Sequence, residues 1–272
     1  MPGYCSAMGI LDLFRLDGLV AVVTGSGQGI GRGIAVGLAE AGADVVVTAR
    51  RAEDLEQTAT AVRATGRRAQ IVAGDIREPG MNERLAETAV ASFGRLDIWV
   101  NNVGGSTDKT TYTLVETSED YWRSMLELNL TTAFLGARAA ALRMTEGGVI
   151  INVASGAGMR GSPRTGAYAA AKAGMINLTQ TLALELAPSV RVNTVSPGQV
   201  PTEAFSEVLK MGGDDTLRAL AEATPLKRLG TPQDIAAAIV YLSSPAGSWV
   251  TGENLLVAGG RRERGGNAQR YG

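Results

Sequence analysis

Short runs of apolar, largely β-branched residues recur along this chain, each followed by a longer stretch of helical character. Residues 19–24, 44–49, 70–73, 96–100, 149–153, 191–195 and 254–257 read as strands. Residues 29–41, 52–65, 79–93, about 118–144 and 165–186 read as helices, with Ser118 as a cap and Thr231-Pro232 opening another. The strands are nearly continuous in apolar residues rather than alternating, which suits a sheet buried on both faces. Strand and helix in alternation predict an α/β fold, a doubly wound parallel sheet with helices on both faces (Rossmann-like). Ligands of such folds sit at the C-terminal edge of the strands. No internal boundary is apparent, so residues 16–260 read as one domain between tails at 1–15 and 261–272. The basic C-terminal tail is open to two readings, a solvated end or a binding arm.

Composition narrows the chemistry. A formal net charge of −1 offers no nucleic-acid-binding stripe and no membrane-seeking face. Cys5 is the sole cysteine, so an intrachain disulfide and a C-x-x-C site are both excluded. No run approaches the length of a membrane span, and the N-terminus lacks a signal-like apolar stretch, so a cytoplasmic protein is expected. The chain contains no histidine. Ser-His-Asp and Cys-His hydrolytic arrangements are therefore ruled out, as are histidine-containing zinc sites. Proton transfer near neutral pH is left to a carboxylate, or to a tyrosine or lysine with a shifted pKa.

After the first strand comes Thr24-Gly25-Ser26-Gly27-Gln28-Gly29-Ile30-Gly31. The spacing G-x-G-x-x-G is not met, because Ile30 stands where its last glycine would be; T-G-x-x-x-G-x-G is met. Such a turn brings backbone N–H groups and a helix N-terminus to a pyrophosphate. By itself it also fits a tight strand-to-helix connection. Tyr168 and Lys172 stand four apart, on one face of the helix 165–186. An ammonium beside a phenol favours the phenolate, which in a chain without histidine makes Tyr168 the acid–base candidate. A Y-x-x-x-K pair alone also reads as a surface aromatic–cation contact. Ser155 follows the fifth strand and so emerges at the same sheet edge. Asn129 lies within the helix 118–144, where asparagine is not favoured; a polar residue at a helix bend is the plain alternative.

With these motifs in this order, the chain resembles the short-chain dehydrogenase/reductase family over roughly residues 16–260. The resemblance implies an oxidoreductase that interconverts a secondary alcohol and a ketone by hydride transfer, with a nicotinamide dinucleotide as cofactor. Its serine stands thirteen residues before its tyrosine, as Ser155 does before Tyr168. It implies that Tyr168 is the acid/base, that Ser155 hydrogen-bonds the substrate oxygen, and that Asn129 holds a water completing a proton path through Lys172. Cofactor contacts implied in the same way are Gly25, Ser26, Gly27, Gln28, Gly29, Ile30 and Gly31 at the pyrophosphate, with Asp75 and Ile76 at the adenine. Asn102 and Gly104 follow, in an N-N-V-G that resembles the family's N-N-A-G, and Asn101 reads equally as a cofactor contact or a tie within the sheet. Pro197, Gly198, Val200 and Thr202 fit P-G-x-x-x-T on the nicotinamide side, and Tyr168 and Lys172 complete the set.

Ala49 occupies the end of the second strand where a carboxylate would bond the ribose of NAD, and Arg50 and Arg51 follow it. NADP(H) is therefore favoured over NAD(H). Ala258 stands where the family commonly has aspartate. Residues 199–225, with Gly212-Gly213 at the middle, read as a mobile lid or as a plain helical insertion. Arg160 and Arg164 read as contacts for an anionic substrate group or as exposed loop charges. The resemblance further implies a homotetramer packed through the helices near 122–144 and 165–186. Two other functions stay open, a non-catalytic nucleotide-binding regulator and a dehydratase or epimerase on the same scaffold. Intact Ser155, Tyr168 and Lys172 count against the regulator.

Overall fold

Hydrophobic strands of this kind pair side by side only when helices cover both faces, and this is the arrangement found. A computed structural model describes residues 9–106, 112–145, 147–202 and 213–260. Its strands are β1 (Val20–Thr24), β2 (Asp44–Ala49), β3 (Ala69–Ala73), β4 (Ile98–Asn101), β5 (Gly148–Val153), β6 (Val190–Pro197) and β7 (Asn254–Val257). They form one parallel sheet in the order β3-β2-β1-β4-β5-β6-β7. Its helices are α1 (Gly29–Glu40), α2 (Ala52–Ala64), α3 (Met81–Phe93), α4 (Glu119–Leu126), α5 (Thr132–Ala141), α6 (Gly166–Leu186), α7 (Gly213–Glu222) and α8 (Pro232–Ser243). The chain winds outward from β1 through β2 and β3, then returns to β4 on the other side of β1. That reversal opens a crevice above the C-terminal ends of β1 and β4.

Two apolar layers sandwich the sheet. Val23, Val45, Val47 and Ile151 pack with Ile34 and Leu38 of α1 and Ile239 of α8 on one face, and Val22, Val46, Trp99 and Ile150 pack with Leu85 and Ala140 on the other. Caps set the helix starts as the sequence suggests. The Ser118 hydroxyl accepts the Tyr121 N–H, and Thr231 and Asp234 form a reciprocal capping box at α8.

Two expectations need correction. The stretch 118–144 is not one helix: a π-helical turn at Glu127–Thr131 separates α4 from α5, which ends at Ala141. The residues expected as an N-terminal tail include an ordered part, since Ile10–Phe14 form a 3-10 turn and the Phe14 ring lies 6.2 Å from that of Tyr241 on α8. Of the expected lid at 199–225, residues 203–212 lie outside the described residues, as does the tail 261–272, and Gly213–Glu222 form α7. No helix among the described residues is long and apolar enough to cross a membrane.

Candidate active site

The glycine turn is shaped by backbone demands that only glycine meets. Gly25 and Gly29 hold φ of 66° and 54°, in the left-handed region. At Gly31 an added Cβ would stand 2.1 Å from the carbonyl oxygen of Gly25. The turn therefore folds flat against the start of α1, whose N-cap, Gln28, offers no side-chain cap to the helix. Uncapped N–H groups at a helix N-terminus, with no side chain over them, fit a pyrophosphate.

Several predicted contacts prove to be the frame of this turn. Ser26 gives its N–H to the Thr48 carbonyl (3.0 Å), and its buried hydroxyl accepts the Thr48 N–H (2.9 Å). Its own carbonyl receives the Thr58 hydroxyl (2.8 Å), so Ser26 ties the turn to β2 and α2. Asn102 Nδ2 donates to the carbonyls of Thr24 (2.9 Å) and Gly25 (3.1 Å), bracing the turn from β4. Ile30 packs against the core, and the Val200 side chain is buried in the same layer, which leaves each only its backbone to offer. Asn101 is a sheet tie, bonded to Trp99, Asn152 and the Ala133 carbonyl. Sequence reasoning missed Arg32, which donates to the Gly27 carbonyl and to Thr58 and so holds the turn from inside α1. A short polar segment carries no signal for which of its groups face inward.

Just past β3, Asp75 is bonded to Arg77, which pulls its pKa to about 2, with Arg50 adding to the effect. Arg50 is exposed beside it, whereas Arg51 is engaged with Asp54 and Gln28. Ile76 is buried behind Asp75. On the other side of the crevice Pro197 ends β6, Gly198 donates its N–H to Val257, and a Cβ on Gly198 would touch Ala258 at 2.7 Å. Thr202 is half-buried beyond them.

The four residues expected to carry out chemistry converge from three elements. Lys172, on α6, is fully buried; its Nζ donates to the carbonyl of Val153 at the end of β5 (2.9 Å) and lies 5.8 Å from the centre of the Tyr168 ring. Burial lowers its pKa to about 7. Ser155 follows β5 two residues later, and its hydroxyl accepts the Ala157 N–H at the head of the turn Gly156–Met159. That turn lies directly on α6: a Cβ on Gly158 would come 2.7 Å from the Lys172 carbonyl carbon. Asn129 sits in the π-helical turn, where irregular geometry often marks a functional site. Its Oδ1 accepts the Gly105 N–H (2.8 Å) and its Nδ2 donates to the carbonyls of Gly105 and Met125. A Cβ on Gly104 would stand 2.8 Å from both Asn129 Oδ1 and Lys172 Nζ, so Gly104 leaves the space where these two groups meet.

Matching this geometry, the family model described as enoyl-(acyl carrier protein) reductase fits residues 25–262. An uncharacterized oxidoreductase of Mycobacterium tuberculosis is 46% identical over 255 residues, 92% of this chain and 95% of that protein. The chain belongs to the short-chain dehydrogenase/reductase family. Its relatives include the 7α-hydroxysteroid dehydrogenase of Escherichia coli K12, 35% identical over 252 residues, covering 92% of this chain and 96% of that one. A solved structure of a 7α-hydroxysteroid dehydrogenase, complexed with NADH and 7-oxo glycochenodeoxycholic acid, superposes with a TM-score of 0.86 at 35% identity. It covers 93% of this chain and 98% of that one. The protein is an NAD(P)-dependent oxidoreductase of this family, a dehydrogenase/reductase.

Arg160 and Arg164 line a cavity of about 720 Å³ together with Thr113, Leu114 and the α6 residues Gly166, Ala169, Ala170 and Ala173. Most of those α6 positions point away from the face that carries Tyr168 and Lys172, at about 100° per residue.

Proposed function

We propose that this enzyme reduces a ketone to a secondary alcohol, or the reverse, with Tyr168 as acid/base, and that NADP(H) is its preferred cofactor. The observation that carries the reading is a buried lysine of depressed pKa beside Tyr168, bonded to the strand that delivers Ser155 and sharing with Asn129 the space over Gly104, in a chain without histidine. The glycine turn fits a dinucleotide, since Gly31 admits no Cβ and the N-terminus of α1 has no side-chain cap. Gly25, Gly27, Gln28, Gly29 and Gly31 would hold its pyrophosphate, Asp75 and Ile76 its adenine, and Gly104, Pro197, Gly198 and Thr202 its nicotinamide half. Bound there, the nicotinamide supplies or accepts the hydride.

The residues of the chain handle the proton. Ser155 donates a hydrogen bond to the substrate oxygen and holds it at Tyr168. The Tyr168 hydroxyl gives that oxygen a proton during reduction and removes one during oxidation. Lys172, with a pKa of about 7, is poised to exchange a proton with Tyr168, and its cationic form is favoured once the phenol has lost its own. Asn129 anchors the loop at Gly105 against the π-helical turn and so keeps the lysine's pocket open. Arg50 supports the choice of NADP(H), since it is exposed at the end of β2 and near enough to Asp75 to act on its charge, while Arg51 is held by Asp54. We further propose a homotetramer; the exposed Phe134 on α5 and Leu184 on α6 support it, and light scattering tests it.

The test is a panel of ketones and alcohols, 7-oxo glycochenodeoxycholic acid among them, followed at the nicotinamide absorbance with each cofactor. With the best substrate, Tyr168→Phe is expected to lose about 10²–10⁴-fold in rate with cofactor affinity almost unchanged. Retention of more than about a tenth of the rate would overturn the assignment of Tyr168.

A further inference from the structure

Behind the proton-transfer group a strip of polar side chains runs through the interior, where the sheet meets α5 and α6. Trp99 Nε1 donates to Asn101 Oδ1 (2.7 Å), and Asn101 Nδ2 donates to Asn152 Oδ1 (2.9 Å) and to the Ala133 carbonyl on α5 (3.0 Å). Asn152 Nδ2 in turn donates to Thr179 Oγ1 on α6 (2.9 Å), which also accepts from Thr194 Oγ1 (2.7 Å) and donates to the Met175 carbonyl (2.9 Å). Asn101, Asn152 and Thr194 are paired neighbours on β4, β5 and β6. All five side chains are at most 4% exposed. At Gly136 an added Cβ would stand 2.3 Å from Asn101 Oδ1, so α5 is seated directly on the strip.

Apolar side chains would fill this space without the cost of burying amides and hydroxyls. Hydrogen bonds differ from apolar contacts in direction: they fix how a helix is rotated, whereas apolar surfaces tolerate small slips. Residues 168, 172, 175 and 179 share one face of α6, so the anchored threonine and the reacting groups turn together. A rotation of about 10° moves a group about 6 Å from the helix axis by about 1 Å, and a misplacement of that size can cost about 10²-fold in rate.

We propose that this buried strip sets the rotation of α6, and the seating of α5, against the sheet, and that Thr179 is thereby a positioning residue for Tyr168 and Lys172. The inference rests on the role proposed above for Tyr168. Its test compares Thr179→Val, which leaves the Asn152 amide and the Thr194 hydroxyl without their acceptor, with Thr179→Ser, which restores it. With the best substrate of the panel, Thr179→Val is expected to lose at least about tenfold in kcat with cofactor KM within about twofold, and to move the pH midpoint of kcat by about half a unit. Thr179→Ser is expected to recover to within about threefold of wild type.

A second readout needs no substrate: the alkaline phenolate absorbance of each protein minus that of its Tyr168→Phe counterpart. That difference should shift in Thr179→Val and not in Thr179→Ser. A wild type silent on the whole panel would defeat the reading of Tyr168, while this titration still judges the strip. If Thr179→Val fails to fold, Thr194→Val takes its place, because it removes one donor and strands none. A folded variant with wild-type kcat, pH profile and titration overturns the proposal.

Discussion

Lys172 offers a measurement in which the cost of the active site appears as stability. Burial lowers its pKa from 10.5 to about 7. At about 1.4 kcal/mol per pKa unit, keeping it charged inside the fold costs about 5 kcal/mol at a pH below 7, where folded and unfolded chains both carry the proton. Between pH 7 and 10.5 the folded lysine has released a proton that the unfolded chain still binds. Stability therefore rises with pH through that window, by linkage. Lys172→Met keeps an unbranched side chain of similar length and abolishes the titration. Carried through the same linkage, the wild-type penalty is about 5 kcal/mol at pH 6 and about 2 kcal/mol at pH 9. The variant's advantage over wild type should shrink by about 3 kcal/mol between those two values. Urea unfolding of both proteins without cofactor, followed by circular dichroism at each pH, reads this directly, and titrating groups distant from Lys172 cancel in the comparison. Stability profiles that stay parallel within about 0.5 kcal/mol from pH 6 to 9 would refute the reasoning, because a lysine that titrates normally in the fold contributes no such difference.

Two further outcomes follow from the cofactor side. Arg50→Ala should weaken NADPH binding at least about tenfold, the loss of a charge-assisted contact, and leave NADH nearly unaffected; fluorescence titration with both cofactors checks this, and equal losses would remove the basis for preferring NADP(H). Gly31→Ala forces a methyl to 2.1 Å from the Gly25 carbonyl oxygen. It should cost about 1–3 kcal/mol of stability and most of the affinity for either cofactor, so unchanged melting temperature and binding would show that the turn has room it is not expected to have.

Much of the fold could be read from local pattern. Runs such as Asp44–Ala49 are apolar on both faces, so they demanded a covered parallel sheet, and Ser118 and Thr231 marked helix starts that the structure keeps. The π-helical turn at Glu127–Thr131 was not legible. Asn129 hinted at a bend there, but the turn is accompanied by tertiary bonds between Asn129 and Gly105 that no local propensity announces. The same holds for Ser26 and Asn102, whose places in a motif say that they belong to the turn but not that their side chains brace it from beneath. Arg160 and Arg164 lie between Ser155 and Tyr168 in the chain, which left two readings open for them, and the structure sets both on a cavity beside the start of α6.

Residue order alone thus determined the layered α/β architecture, the glycine turn and the restriction of proton transfer to a carboxylate, a tyrosine or a lysine, since each depends on periodicity, on backbone freedom or on which side chains exist at all. Tertiary structure decided what those groups experience. Only packing closes water away from Lys172 and brings Gly104, Asn129 and Val153 around it, and desolvation is a property of surroundings assembled from β4, β5, α6 and the π-helical turn rather than of any one segment.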